Sequence, residues 1–275
     1  LSLYYQQTRT ESAQSVALNR ISSGLKINGA KDGASALAKS EKMKMQIRGM
    51  QMAARNAQDG MSMLQTAEGG MSNITEMIDR MRELVVESGD SSKTDSDKKN
   101  IQLEIDQLKK GIVDTAKNTE FNGKALLASK ESSEIPISDD TGAAVKFSFY
   151  NLSPDNIGVK DSNGNLTKTL NDVSVSSLSV NENLDVIDGS LSHVLNVRSQ
   201  YGALEGRFED TYNNLNAFSE GVQTAESGVR DADVAEEMMN YTKSSVLDQA
   251  GDAMLAQAEQ FPKDVLNILS GLRSK

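Results

Sequence analysis

Apolar positions along this chain fall into two rhythms. From Met43 to Val85 they recur at Met43, Ile47, Met50, Ala54, Ala57, Met61 and Leu64, then at Ala67, Met71, Ile74, Ile78, Met81 and Val85. Spacings of three and four alternate, which lays one stripe along a helix in the manner of a coiled-coil seam. The rhythm slips once, between Leu64 and Ala67 beside Gly69-Gly70, and a skipped step of that kind alters supercoil winding locally. A second helix is predicted to start at Thr94-Asp95-Ser96-Asp97, where a hydroxyl residue followed three places later by an acid forms a capping box. Its stripe is Ile101, Ile105, Leu108, Ile112 and Ala116. The short polar linker Gly89-Asp90-Ser91-Ser92-Lys93 makes the pair an antiparallel hairpin.

From Leu126 to about Val180 the period changes to two, as in Val145-Lys146-Phe147-Ser148-Phe149-Tyr150, with breaks at Pro136, Pro154, Gly158 and Asn163-Gly164. Asn-Gly between extended runs signals a hairpin. Pro136 and Pro154 lie in this insert, whereas the flanking arms hold only Pro262, the distribution expected if the arms are helical. Helical spacing returns at Ile187, Leu191, Val194, Tyr201, Leu204 and Phe208 and continues through Thr211, Leu215, Phe218, Val222, Ala225 and Val229. After the polar step Arg230-Asp231-Ala232-Asp233 it resumes at Val234, Met238, Tyr241, Val246, Ala250, Met254 and Leu255, followed by the apolar tail Val265-Leu266-Asn267-Ile268-Leu269. The predicted class is therefore mainly α: an elongated antiparallel helical bundle or coiled coil with a small β-containing insert.

Composition sharpens this picture. Only 4% of residues are aromatic and there is no Trp, so a bulky globular core is poorly supplied, while a narrow seam needs less. The net charge of −10 repels a phosphate backbone, which excludes nucleic acid as a partner. With no cysteine, the fold relies on neither a disulfide nor a thiolate metal site. No apolar run approaches the roughly 18 residues of a membrane span, so no membrane insertion is expected. The start, Leu1-Ser2-Leu3-Tyr4-Tyr5-Gln6-Gln7, lacks the basic and apolar regions of a signal peptide.

Catalytic chemistry finds little material. His193 is the only histidine, which removes His-based zinc sites and paired-histidine chemistry; it is expected to be a packed or solvent-facing side chain. Glu236-Glu237 and Asp139-Asp140 are sequence neighbours that on a helix would point to different faces. Asp161-Ser162-Asn163-Gly164-Asn165 begins like a calcium loop, but Leu166 takes the place of the sixth-position glycine and no glutamate lies twelve along. A hairpin turn explains that stretch better. No catalytic residue, cofactor or metal is assigned.

Both ends of the chain are amphipathic helices without an evident globular partner, and an apolar stripe left in water marks an interaction surface. Copies that bury such stripes on one another through heterologous contacts that do not close give helical filaments.

Several blocks carry a specific resemblance. In the N-terminal arm they are Arg20-Ile21-Ser22-Ser23-Gly24-Leu25-Lys26-Ile27-Asn28, Ser40-Glu41-Lys42-Met43, Gln46-Ile47-Arg48-Gly49-Met50 and Arg55-Asn56-Ala57-Gln58-Asp59-Gly60. Leu64-Gln65-Thr66-Ala67-Glu68-Gly69, Arg80-Met81-Arg82-Glu83-Leu84 and Thr119-Glu120-Phe121-Asn122-Gly123 follow in order. The C-terminal arm adds Ala225-Glu226-Ser227-Gly228-Val229-Arg230-Asp231-Ala232-Asp233-Val234-Ala235-Glu236-Glu237-Met238 and Ala253-Met254-Leu255-Ala256-Gln257-Ala258. On these residues the chain resembles bacterial flagellin.

The resemblance implies a structural subunit that polymerises into the flagellar filament and serves swimming motility. It divides the chain into a filament-core helix and spoke (1–40), the N-terminal half of a helical rod (41–125), a small variable insert (126–183), the C-terminal half of the rod (184–230) and a C-terminal filament-core helix (231–275). The self-assembly residues it implies are Leu25, Ile27, Val234, Met238, Met254, Leu255, Leu266 and Leu269. Implied partners are further copies of the chain, an export chaperone covering the C-terminal helix, and the filament cap and hook-junction proteins. The implied location is the extracellular flagellum, with a periplasmic flagellum as the alternative. The surface read by the animal flagellin receptor in family members resembles Arg80 and Leu84 here. Lys110 and Asp114 stand where an acid and an arginine are common, so charge is reversed at both and receptor signalling is expected to be weak or absent.

Three departures stand out. Family members begin upstream of the point matching Leu1, so part of the innermost helix is expected to be missing. Gly33 stands where an acid is common, and the chain runs past the usual end through Ser270–Lys275. Two other functions fit helical termini: a hook–filament junction protein, and a surface flagellin homologue acting as an adhesin through its insert. The complete block Ala253–Ala258 favours the filament subunit.

Overall fold

The structure, a computed structural model, describes residues 2–137, 144–160 and 166–272, giving only the backbone course for Ser2, Leu3, Glu259 and 261–272. Among these residues there are five α-helices: α1 (Ser2–Ser23), α2 (Ala30–Ser88), α3 (Asp95–Asn118), α4 (Val180–Arg230) and α5 (Val234–Leu272). Three antiparallel strand pairs lie between α3 and α4: β1 (Glu120–Phe121) with β2 (Lys124–Ala125), β3 (Ser132–Pro136) with β4 (Ala144–Ser148), and β5 (Gly158–Lys160) with β6 (Leu166–Thr169). The fold is mainly α with small β pairs, as the two periods predict. The chain divides into two compact units, one of residues 1–47 with 220–275 and one of residues 48–219.

In the second unit the predicted seam is the core. Met50, Ala54, Ala57, Leu64, Ala67, Met71, Ile74, Ile78, Met81 and Val85 are all buried, and Met61 is half-buried beside them. The α2 helix runs on through the slipped step at Leu64–Ala67; its one non-helical residue is Gly33. The step brings Gly70 under the loop after α3. A methyl group at Gly70 would lie 2.5 Å from Thr119 Oγ1 and 2.8 Å from Leu127 Cδ1, so the approach needs glycine.

The α3 helix starts as predicted. Thr94 Oγ1 accepts the amide of Asp97 at 3.3 Å, and the Asp97 carboxylate accepts the Thr94 amide at 2.9 Å. Arg80 on α2 meets Glu104 on α3 at 3.0 Å, and Gly111 faces Met77, which runs the two helices antiparallel. The α4 helix lies antiparallel to α2 as well, through Arg82–Asp188 (2.9 Å), Glu68–Arg198 (3.0 Å) and Gln65–Glu205 (2.6 Å).

Of the α4 stripe, Ile187, Val194, Tyr201 and Phe208 are buried, but Phe218 remains 67% exposed and Ala225 is exposed. The sequence period continues where the core does not. The β4 strand alternates as its period predicts, with Val145 and Phe147 inward and Lys146 and Ser148 outward. Phe147 meets Phe149 edge-on at 5.4 Å between ring centres and Phe208 at 6.4 Å, which ties the insert to α4. Asp139-Asp140 and Asp161–Asn165, including the Asn163-Gly164 turn, lie outside the described residues.

The first unit is a different kind of structure. The α1 and α5 helices pair antiparallel, with Arg20 against Glu237 at one level and Gln7 bonded to Asp252 at the other. Of the described side chains in this unit, only Ala17 and Ile27 are buried hydrophobics. The helical backbone of α5 continues through Pro262, whose nitrogen has no proton for the carbonyl one turn back.

Candidate functional site

The ends of the chain are joined by a short backbone clasp. Gly24 ends α1 with φ +69° and its amide donates to Arg20 O at 2.8 Å, the left-handed close that glycine allows. The chain then runs alongside the α4–α5 turn: Lys26 N donates to Arg230 O at 2.7 Å, Ala232 N donates to Gly24 O at 3.0 Å, and Leu25 bridges Asp231. Asp233 caps α5 by accepting the amides of Ala235 (2.9 Å) and Glu236 (3.3 Å).

Charged side chains reinforce the clasp. Glu237, only 8% exposed, takes Arg20 at 2.9 Å, while Glu236 points to solvent as adjacent helical positions must. Arg230 reaches Glu41 at 2.7 Å, and buried Ser40 donates to Glu226 at 2.6 Å, tying α2 to α4. A groove of about 440 Å³ between α1 and α5 is lined by Arg9, Ala13, Val16, Ala17, Lys243 and Leu247 together with the Arg20–Glu237 pair. Large apolar side chains stand open on both helices: Tyr4, Tyr5, Val16 and Leu18 on α1, and Val234, Met238, Met239, Val246, Leu247 and Met254 on α5. Such a surface can bury apolar area. Among the described residues no cluster of three or more His, Cys, Asp or Glu could hold a metal ion, and no helix is long and apolar enough to cross a membrane.

The family model of the bacterial flagellin N-terminal helical region matches residues 1–132, and that of the C-terminal helical region matches residues 184–269. The chain is 38% identical over 283 aligned residues to the flagellin of Bacillus subtilis, covering 94% of this chain and 93% of that one. The chain belongs to the bacterial flagellin family. It is 36% identical to the flagellar filament 31.3 kDa core protein of Treponema maltophilum, over 94% of this chain and 93% of that one. A solved chain assigned as a flagellar hook-associated protein of Vibrio parahaemolyticus superposes with a TM-score of 0.61 at 13% identity, covering 73% of this chain and 100% of that one; the two share a fold. This flagellin is a structural subunit of the bacterial flagellar filament, self-polymerising and serving motility, and its family is structural rather than enzymatic.

Of the residues expected to drive assembly, the flagellin structure leaves Val234, Met238 and Met254 about half or more exposed and Leu255 half-buried on α5. Leu25 is half-buried in the clasp, and Ile27 is 8% exposed within its own chain. Leu266 and Leu269 lie on the α5 backbone with side chains outside the described residues. Sequence spacing did not single out Tyr4, Tyr5, Val16, Leu18, Met239 and Leu247, the first four standing in an arm whose stripe was not traced, whereas exposed Val246 lies on the stripe it did trace. It also missed the Arg20–Glu237 pair, whose partners lie 217 positions apart.

The four residues expected to face a receptor differ in exposure. Arg80, Lys110 and Asp114 are exposed in the second unit, with Arg80 bonded to Glu83 and Glu104, but Leu84 is 1% exposed in the α2 core. Leu84 and the adjacent Val85 both belong to the core cluster of the second unit.

Proposed function

We propose that α1 and α5 are the segments through which copies of this flagellin hold one another in the filament. The observation that supports this is an imbalance in the first unit: two buried hydrophobic side chains against ten large ones left open on a helix pair. A helix pair of that length with so little core does not meet the entropy of its own ordering. Burial against neighbouring copies would supply the missing area, at roughly 25 cal/mol per Å² of apolar surface. Residues 1–40 and 231–275 would then line the filament core, 41–125 and 184–230 would form the stiff rod, and 126–183 would be the outer insert. Small register shifts between bistable contacts would let the filament change supercoil.

Before export, a chaperone would cover the open stripe of α5, and the filament cap and hook-junction proteins would meet the same termini as neighbouring subunits do. We assign the filament to the external flagellum, the Treponema relatives raising a periplasmic one as the alternative. With Lys110 and Asp114 of reversed charge and Leu84 inside the core, purified protein should activate receptor-bearing animal cells weakly or not at all. Strong activation would remove that expectation.

The assembly proposal is tested with Met254→Asp and Leu255→Asp. Each places a carboxylate on the α5 stripe at little expense to the second unit. After salting-out, which favours burial of apolar surface, negative-stain electron microscopy should show filaments from the parent chain and none from either variant, with helical circular dichroism largely retained. Filaments of normal length from both variants would end the assignment of α5.

A further inference from the structure

One cleft in the second unit belongs to none of the surfaces described so far. It encloses about 490 Å³ beside α4, between the segment after β2 and the chain around β5, and its walls include Lys130, Tyr150, Asn151, Asn156, Lys160 and His193. Small-molecule sites span roughly 300–1,000 Å³. In a chain of net charge −10, no carboxylate lines this cleft among the described residues, and two ammonium groups and the chain's single imidazole face the same space.

Lys93, Lys146 and Lys168 each hold a glutamate. Lys130 and Lys160 have no ion-pair partner among the described residues. Burial, then the charges of Lys160 and Lys130, hold the His193 imidazole below its ordinary pKa, which places all three groups within electrostatic reach of one another. The neutral walls suit a polar ligand. Asn151 Oδ1 accepts the Ser153 amide at 3.0 Å, leaving its Nδ2 as a donor, and the Tyr150 hydroxyl donates to Gln200 at 2.6 Å, which fixes its ring as a wall.

We propose that this cleft binds a compact sugar-sized molecule carrying one oxyanion, with the carboxylate or phosphate held between Lys130 and Lys160 beside His193 and the hydroxyls met by Asn151 and Asn156. The anion supplies a counter-charge that no described residue lining the cleft provides. Charge-assisted bonds of this kind are each worth about tenfold or more in affinity.

Because the chain has one histidine, its imidazole proton resonances report on this cleft alone. The full chain, kept monomeric, is titrated with glucuronate, glucose 6-phosphate, inorganic phosphate and neutral glucose. At least one anion should shift the His193 resonances saturably while glucose does not, and the responding anion identifies carboxylate or phosphate as the source. Lys130, Lys160 and Tyr150 are the titratable groups facing His193 from the elements around it, and bound anion should raise the imidazole pKa by stabilising the imidazolium. Lys130→Gln/Lys160→Gln, at two exposed positions, should abolish the shift with an unchanged melting curve; the single variants should each weaken binding about tenfold. No saturable shift from any anion, an equal shift with glucose, or a shift that survives in the double variant would overturn the proposal.

Discussion

A methyl group added at Gly70 would come within 2.5 Å of Thr119 Oγ1, whereas at Gly69 it would meet nothing within 4 Å. Gly70→Ala is therefore expected to destabilise the second unit by about 1–3 kcal/mol through overpacking. Gly69→Ala should stabilise it by about 0.5–1 kcal/mol, since glycine in an open helix interior carries an entropic penalty. Urea unfolding of the two variants should move the midpoint in opposite directions. Lys109 makes a second residue-scale case. Its ammonium, 9% exposed, donates to Asn171 O at 2.9 Å and Val173 O at 2.7 Å, fastening the turn before α4 onto α3. Lys109→Met would leave both carbonyls without that donor, and a loss of about 1–3 kcal/mol is expected in the same measurement. Single residues were unevenly legible: Met71, Ile74 and Ile78 were marked by spacing alone, but a lysine in a core is specified by two carbonyls more than sixty positions away, which no local pattern carries. Leu84 shows the same limit from the other side: family blocks placed it among surface residues, and its burial at 1% exposure comes from the fold.

At the scale of elements, the described helices and strands follow their periods, and helix starts follow their caps. Thr94–Asp97 opens α3, and the same reciprocal arrangement, Ser179–Glu182, opens α4 at Val180, before the apolar stripe that marked the helix in the sequence. At the short 3₁₀ turn Leu170–Asp172 the Asp172 carboxylate accepts both the amide (2.8 Å) and the hydroxyl (2.9 Å) of Thr169. All three carboxyls are held below their ordinary range. Bonds to Lys168 and then Ser179 pull Glu182 down from 4.5 to about 2; Thr94 lowers Asp97, and Thr169 lowers Asp172. A carboxylate with a depressed native pKa contributes stability that is present above its unfolded pKa and is lost as pH falls through the native one. For Glu182 that window runs from 4.5 down to about 2. Urea titrations at pH 5 and pH 3 should show a fall in stability that is smaller in Glu182→Gln than in the parent chain. An equal fall in both would contradict the assigned cause. The end of the α4 stripe was less legible: Phe218 keeps the helical period yet stays 67% exposed, because periodicity reports which face is apolar and not what covers it.

For the whole molecule, the two units differ in how much they bury. Residues 48–219 contain a continuous core from Ala57 to Phe208, whereas 1–47 with 220–275 bury Ala17 and Ile27 among the described side chains. Native-state hydrogen exchange of the monomer should therefore show α1 and α5 opening at much lower free energy than α3 and the 57–85 stretch of α2. Limited proteolysis should leave a resistant fragment near 48–219, and polymerisation should protect the terminal helices. Equal protection of both units in the monomer would contradict the role given to the open stripes. The sequence made the terminal stripes visible as unpartnered, and family blocks at both ends implied a shared role in assembly for them. It could not show that the two ends clasp each other, because a pair such as Arg20 and Glu237 has no signature short of the fold itself.

That clasp also orders events in time. Closing a loop of 217 residues to join Arg20 with Glu237 carries an entropy that grows with the logarithm of its length, and few buried hydrophobic side chains in the first unit offset it. Once Gly60 and Phe208 have met in the core of the second unit, the free segments that remain to be joined are far shorter. Topology thus makes the ends the last part of the chain to fold. In pulse-labelled refolding, amides of α3 should become protected before those of α1 and α5, so that the surface proposed for assembly is completed last.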